Sequence, residues 1–229
     1  MEEQQQGFDR RLIVLGVFAL IAVGVVAAIL IGRGGGEDGG SSTTASADGC
    51  REVEAPKPKT VAFKAPKQVL AKGEEATAVV ETSCGTFAIA LDTRRAPKTA
   101  NSFAFLAEEG FYDDLTFHRI VPEFVIQGGD PAGTSTGGSG YTIVEKPPPN
   151  LAYTTGIVAM AKSPAEPPGS SSSQFYVVTG VDAGLPPEYA LVGKVDAGMD
   201  VVERIGELGT PEEKPTQTVL IEAVTIEKG

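Results

Sequence analysis

Phe117-His118-Arg119-Ile120-Val121-Pro122-Glu123-Phe124-Val125-Ile126-Gln127-Gly128-Gly129-Asp130-Pro131 joins two short apolar runs across a proline bend and stops at paired glycines. In an extended chain successive side chains alternate, so Arg119 and Val121 share one face and His118 and Ile120 the other. Beyond Pro122, Phe124 is apolar and Gln127 polar, just before the glycines. The stretch therefore offers an arginine, an aromatic ring and an amide together on one wall of a sheet. A surface arginine beside a core phenylalanine satisfies the same pattern, so the pattern alone leaves function open.

Working outward, residues 76–229 read as a β-rich domain. Ala78 to Thr82 and Thr86 to Leu91 form a candidate hairpin turning near Ser83-Cys84-Gly85. Pro97 opens a helix, where its missing N–H is no loss. Ala100, Phe103, Leu106 and Ala107 give that helix an apolar face, and Gly110 marks its stop. Further strands are expected at Thr116 to Val121, Phe124 to Gln127, Ile157 to Ala161, Gln174 to Thr179 and Ala190 to Val195. Met199, Val202, Ile205 and Leu208 give a second amphipathic helix, and Val219 to Ile226 a closing strand. Many short strands with two helices predict a closed antiparallel barrel capped by helices. Two long irregular segments, 128–155 and 162–173, interrupt the pattern, and segments of that length in a compact domain are usually functional or disordered.

Composition removes several chemistries. The 229 residues hold 19 Lys plus Arg against 30 Asp plus Glu, a net charge of −11, which speaks against a nucleic-acid footprint. One histidine and two cysteines cannot close a Cys/His zinc site, and no metal or cofactor is expected. Gly128 to Gly133 lacks the Gly-Lys-Ser/Thr ending of a phosphate loop, and Asp130 would repel phosphate. A serine triad would need His118, and no serine sits in G-x-S-x-G.

The N-terminal third reads differently. Residues 1–11 are a short polar start with Arg10 and Arg11. Residues 12–32 form a run of 21 uncharged residues, enough at about 1.5 Å each to span a hydrocarbon core roughly 30 Å thick. A transmembrane anchor with a cytoplasmic N-terminus is expected, with a cleaved signal peptide and a buried helix as the alternatives. Gly24, Ala28 and Gly32 are spaced for helix pairing. Residues 33–75 are a low-complexity linker and extended arm, with apolar patches at 61–63 and 69–70, so the arm is expected to be part tether and part packed on the domain. This reading places the protein in a membrane, single-pass, with its C-terminal domain extracytoplasmic.

Residues 77–228 also resemble a known family, the cyclophilins, which are peptidyl-prolyl cis–trans isomerases. The anchors are FHRIVPEFVIQGGDPAGTSTGGSGY at 117–141, GIVAMA at 156–161, SSQFYVVTG at 172–180 and LVGKVDAGMDVVERI at 191–205. The resemblance implies an eight-stranded antiparallel barrel with a helix over each end, acting on proline-containing polypeptides and, with the anchor, on exported proteins during their folding. It implies that Arg119 is the catalytic arginine and that Gln127 works beside it. It implies a substrate cleft built from Phe124, Val125, Ala161, Lys162, Gln174, Tyr176, Leu185 and Tyr189, with His118 structural. Val125 stands for a frequent Met, Lys162 for Asn, Tyr176 for Phe and Tyr189 for His. A frequent pocket tryptophan aligns with Gly184, so weak binding of the cyclic peptide cyclosporin is expected. The other readings are a module that holds proline segments without turnover and a structural subunit of a membrane complex.

Cys50 and Cys84 are left without a catalytic or metal motif. An extracytoplasmic domain permits disulfides. A Cys50–Cys84 bond would clip the arm to the first turn, closing a loop of about 35 residues.

Overall fold

The computed structural model describes residues 49–229. The elements run β1 (Ala76–Thr82), β2 (Gly85–Leu91), α1 (Pro97–Glu108), β3 (Leu115–Val121), β4 (Val125–Gly128), β5 (Ile143–Val144), β6 (Ile157–Met160), β7 (Ser170–Ser171), β8 (Phe175–Val178), β9 (Leu191–Ala197), α2 (Met199–Glu207) and β10 (Leu220–Lys228). Eight strands close a barrel in the order β1-β10-β3-β4-β8-β6-β9-β2, and β5 pairs with β7 outside it. Every pairing in the barrel is antiparallel.

Alternation builds the barrel from the sequence upward. Along β1, Ala76, Ala78, Val80 and Thr82 are buried while their neighbours are more open. Phe87, Phe117, Ile126, Val158, Val177 and Val192 join them in the main core. α1 contributes Ala100, Phe103, Ala104 and Leu106 to this core, and α2 contributes Val202 and Ile205. Ala96, which precedes Pro97, makes no side-chain cap. Instead the Glu145 carboxylate accepts from the Lys98 and Thr99 amides, which otherwise lack intrahelical partners.

The other strand face carries a second, smaller core. Val125, Ile157, Ala159, Tyr176, Val178 and Leu191 pack with Tyr153 and Ala96. Strands β4, β8, β6 and β9 are thus apolar on both sides, with Val177 and Tyr176 facing opposite ways. This second core underlies the site.

The arm packs against the domain. Phe63 meets Phe105 edge-on at 5.3 Å, and Leu70 is buried. Asn101, on α1, accepts from the Val69 and Leu70 amides at 2.7 and 2.9 Å. Cys50 and Cys84 are joined by a disulfide, and the Arg51 amide donates to Ser83 O at 2.7 Å. The expected anchor at 12–32, with its Gly24/Ala28/Gly32 spacing, lies outside the described residues. Among the described residues no helix is long and apolar enough to cross a membrane.

Candidate active site

A bulge in β3 aims the arginine. Phe117 pairs with Gly128 and Arg119 with Gln127, so His118 is an extra residue in the ladder. Strict alternation would put Arg119 on the core face with Phe117. The bulge shifts the phase by one, so Ile120 enters the core and Arg119 turns outward.

From Arg119 the register runs straight across the sheet. Arg119 opposes Gln127 on β4, Gln127 opposes Tyr176 on β8, and Tyr176 opposes Ala159 on β6. Arg119 Nη1 donates to Gln127 Oε1 at 3.1 Å. Gln127 Nε2 donates to Gln174 Oε1 at 2.9 Å, and Gln174 Nε2 to Gly137 O at 2.9 Å. Gly137 is held in turn by Asp130, whose carboxylate accepts from the amides of Ala132, Thr134 and Gly137 at 2.8, 2.9 and 3.2 Å. A side chain at Gly137 would run into that carboxylate. Burial pushes the Asp130 carboxyl up, but those three amides together hold it below the ordinary carboxylate range.

These side chains border a cavity of about 240 Å³ lined by Arg119, Phe124, Val125, Gln127, Ala161, Lys162, Tyr176, Leu185 and Tyr189. Tyr176 and Tyr189 form its aromatic side and the buried Tyr153 packs behind them, the three ring centroids 5.8–6.4 Å apart. The Tyr153 hydroxyl donates to Tyr189 O at 2.7 Å and accepts from the Tyr189 amide at 3.0 Å, fixing the chain beside the pocket. Lys162 is almost covered, its side chain 3% exposed. Its ammonium lies 5.4 Å from the Tyr189 ring centroid, 3.5 Å from Glu188 and 3.2 Å from Glu166 O. Gln127, Ala161 and Lys162 also border a larger neighbouring cavity of about 620 Å³, which includes Gln174 and lacks Arg119. The expected residues thus gather in one cleft, with Gln174 one step from the Arg119 pocket.

His118 is neutral at pH 7. Burial lowers its pKa, and the Asp130 charge opposes that without reversing it. Among the described residues no cluster of His, Cys, Asp and Glu could hold a metal ion.

Two participants escaped the sequence reading. Tyr153 orders the aromatic wall from a segment with no strand pattern. Glu213 reaches Arg119, whose Nε donates to its carboxylate at 2.7 Å. That hydrogen bond, and then the guanidinium charge, lower the Glu213 pKa.

A family model described as cyclophilin type peptidyl-prolyl cis-trans isomerase matches residues 77–226. This chain belongs to that family. The isomerase is 40% identical over 147 residues to a peptidyl-prolyl cis-trans isomerase-like 1 of Neurospora crassa, covering 62% of this chain and 88% of the relative. It is 37% identical over 153 residues to the Schizosaccharomyces pombe isomerase ppi1, covering 64% and 97%. A crystal structure of a Cryptosporidium parvum cyclophilin-type isomerase in the presence of the dipeptide Ala-Pro superposes with a TM-score of 0.62 at 28% identity, covering 67% of this chain and 99% of that one. The chain is a peptidyl-prolyl cis–trans isomerase, and its fold is the eight-stranded cyclophilin barrel.

The expected cellular placement is corrected. Among the described residues no helix can cross a membrane, and these fungal relatives are isomerase and isomerase-like 1 proteins. The single-pass, extracytoplasmic location has no support in the described residues or in these relatives, and the assignment to exported clients, which rested on it, is withdrawn.

Proposed function

We propose that the isomerase seats a prolyl ring against Phe124, Val125, Tyr176 and Leu185 and stabilises the twisted peptide bond with the Arg119 guanidinium. The peptide C–N bond resists rotation with a barrier of about 18–20 kcal/mol because nitrogen shares its lone pair with the carbonyl. Rotation by a quarter turn ends that sharing and localises the pair on the prolyl nitrogen. A donor aimed there stabilises the twisted state more than either planar one, which is the condition for catalysis. Guanidinium stays charged and offers five N–H donors, so no proton transfer is needed.

The carrying observation is the union of the cavity with the Arg119–Gln127–Gln174 chain. Arg119 uses one N–H on Gln127 and one on Glu213, which leaves three for substrate. Gln127 and the backbone at Ala161 and Lys162 hold the flanking peptide groups, and Gln174 supports Gln127. No cofactor enters this scheme. The test is an Ala-Pro peptide titrated into the full chain, read by NMR. Shifts at the methyl groups of Val125 and Leu185, with accelerated cis–trans exchange, are expected. Shifts confined to the larger cavity would overturn the seating.

Cyclosporin is expected to bind weakly. Gly184 is exposed, supplies neither an aromatic face nor an indole donor, and a Cβ there would meet nothing within 4 Å. Inhibition constants compared with a cyclophilin that carries tryptophan there decide the point, and equal potency would contradict it.

A further inference from the structure

The segment between α2 and β10 runs from Leu208 to Val219 and lies against the strand that carries Arg119. The Ile120 amide donates to Glu213 O at 3.1 Å. The Glu213 amide donates to Thr210 O at 2.9 Å, and Thr210 N to Lys214 O at 3.0 Å, closing a tight loop. Gly209 lets the base of this loop lie flush on β3, since a Cβ there would come within 2.8 Å of Ile120 Cγ2 and 2.9 Å of Ile120 O. At the tip, Glu213 has φ +64°, a left-handed backbone that non-glycine residues rarely adopt. Its side chain is half exposed, yet it takes the Arg119 Nε hydrogen.

Stability does not account for this arrangement. Exposed ion pairs contribute little, and left-handed backbone at a glutamate counts against the fold. Geometry does account for it. A guanidinium on a long stem rotates freely unless its donors are held in a plane. Gln127 fixes one end of that plane through Nη1. Glu213 fixes the other through Nε.

We propose that Glu213 is a positioning residue for isomerisation: its carboxylate, presented by the 208–219 loop, accepts from Arg119 Nε and thereby turns the three remaining N–H groups toward the prolyl nitrogen. The inference rests on the reading of Arg119 as the donor to that nitrogen. Glu213 does not touch the reacting atoms and acts only through Arg119.

The test measures exchange of an Ala-Pro peptide by NMR across a concentration series, with full-length variants. Glu213→Gly removes the carboxylate and relieves the left-handed backbone, so its thermal midpoint should not fall. Its kcat should drop by about three- to thirty-fold with KM changed less than about two-fold, as expected when a catalytic group is only misaligned. Glu213→Asn, which suits the same backbone but is one methylene shorter, should behave alike. Glu213→Gln retains an acceptor at the same reach and should recover most of the activity. In an Arg119→Ala background Glu213→Gly should have no further effect. Unchanged kcat in Glu213→Gly, an additive loss in the Arg119→Ala background, or a Gln variant as slow as the Gly variant would each overturn the proposal. Full activity of Arg119→Ala would instead remove the underlying reading.

Discussion

Tyr176 closes the floor of the pocket with a hydroxyl that is buried and makes no hydrogen bond. Burial raises its pKa far above the ordinary tyrosine value, so it stays protonated at any working pH. An unpaired buried hydroxyl costs stability. Tyr176→Phe should therefore raise the unfolding free energy by about 1 kcal/mol while the exchange rate is retained. Urea denaturation checks this, and a loss of stability would mean that the hydroxyl has a partner. The sequence motifs exposed Tyr176, Arg119, Phe124 and Gln127 because these residues sit in short, ordered runs. Glu213 was not legible. It lies 94 positions from Arg119, and nothing in its own neighbourhood separates it from the other acidic residues of the domain.

The barrel strands and both helices were legible from alternation and from the Pro97 and Gly110 signals, with ends displaced by a residue or two, whereas β5 and β7 lie in segments read as irregular. The closing strand extends to Lys228 rather than stopping at Ile226, because its end pairs with Ala76 and Thr77. The β3 bulge was not legible, since a one-residue insertion leaves no mark in composition. The glycine loop from Gly129 to Gly140 looked merely irregular, yet it is ordered by Asp130. The depressed pKa of Asp130 gives a sign. The carboxylate favours the fold above the ordinary Asp value of about 3.9, and that contribution fades as pH falls through the lower folded value. Stability of the wild type should thus decline below about pH 4. Asp130→Asn should be less stable at pH 7, because its NH2 group must face either the Ala132 N–H or those of Thr134 and Gly137, and its acid slope should be shallower. Denaturation midpoints from pH 3 to 7 test this, and parallel slopes would contradict it.

Across the molecule, barrel and cleft were readable from residues 77–228, and the arm was readable as partly packed on the domain, but not its particular contacts, because its apolar patches are too short to set a period. The Cys50–Cys84 bond ties that arm to the β1–β2 turn over a separation of 34 residues. Reduction, or Cys84→Ser, should lower stability by about 2–4 kcal/mol, leaving exchange activity at 25 °C intact because the cleft is built by other strands. Thermal unfolding with and without reductant reads this, and no shift would show that the bond adds nothing. The central claim concerns Arg119, and it is tested most directly by the exchange rate of an Ala-Pro peptide with wild type and with folded Arg119→Ala. Loss of one transition-state donor predicts a fall of about ten- to a thousand-fold, roughly 1.5–4 kcal/mol, with little change in stability. Undiminished exchange by a correctly folded Arg119→Ala protein would contradict the account.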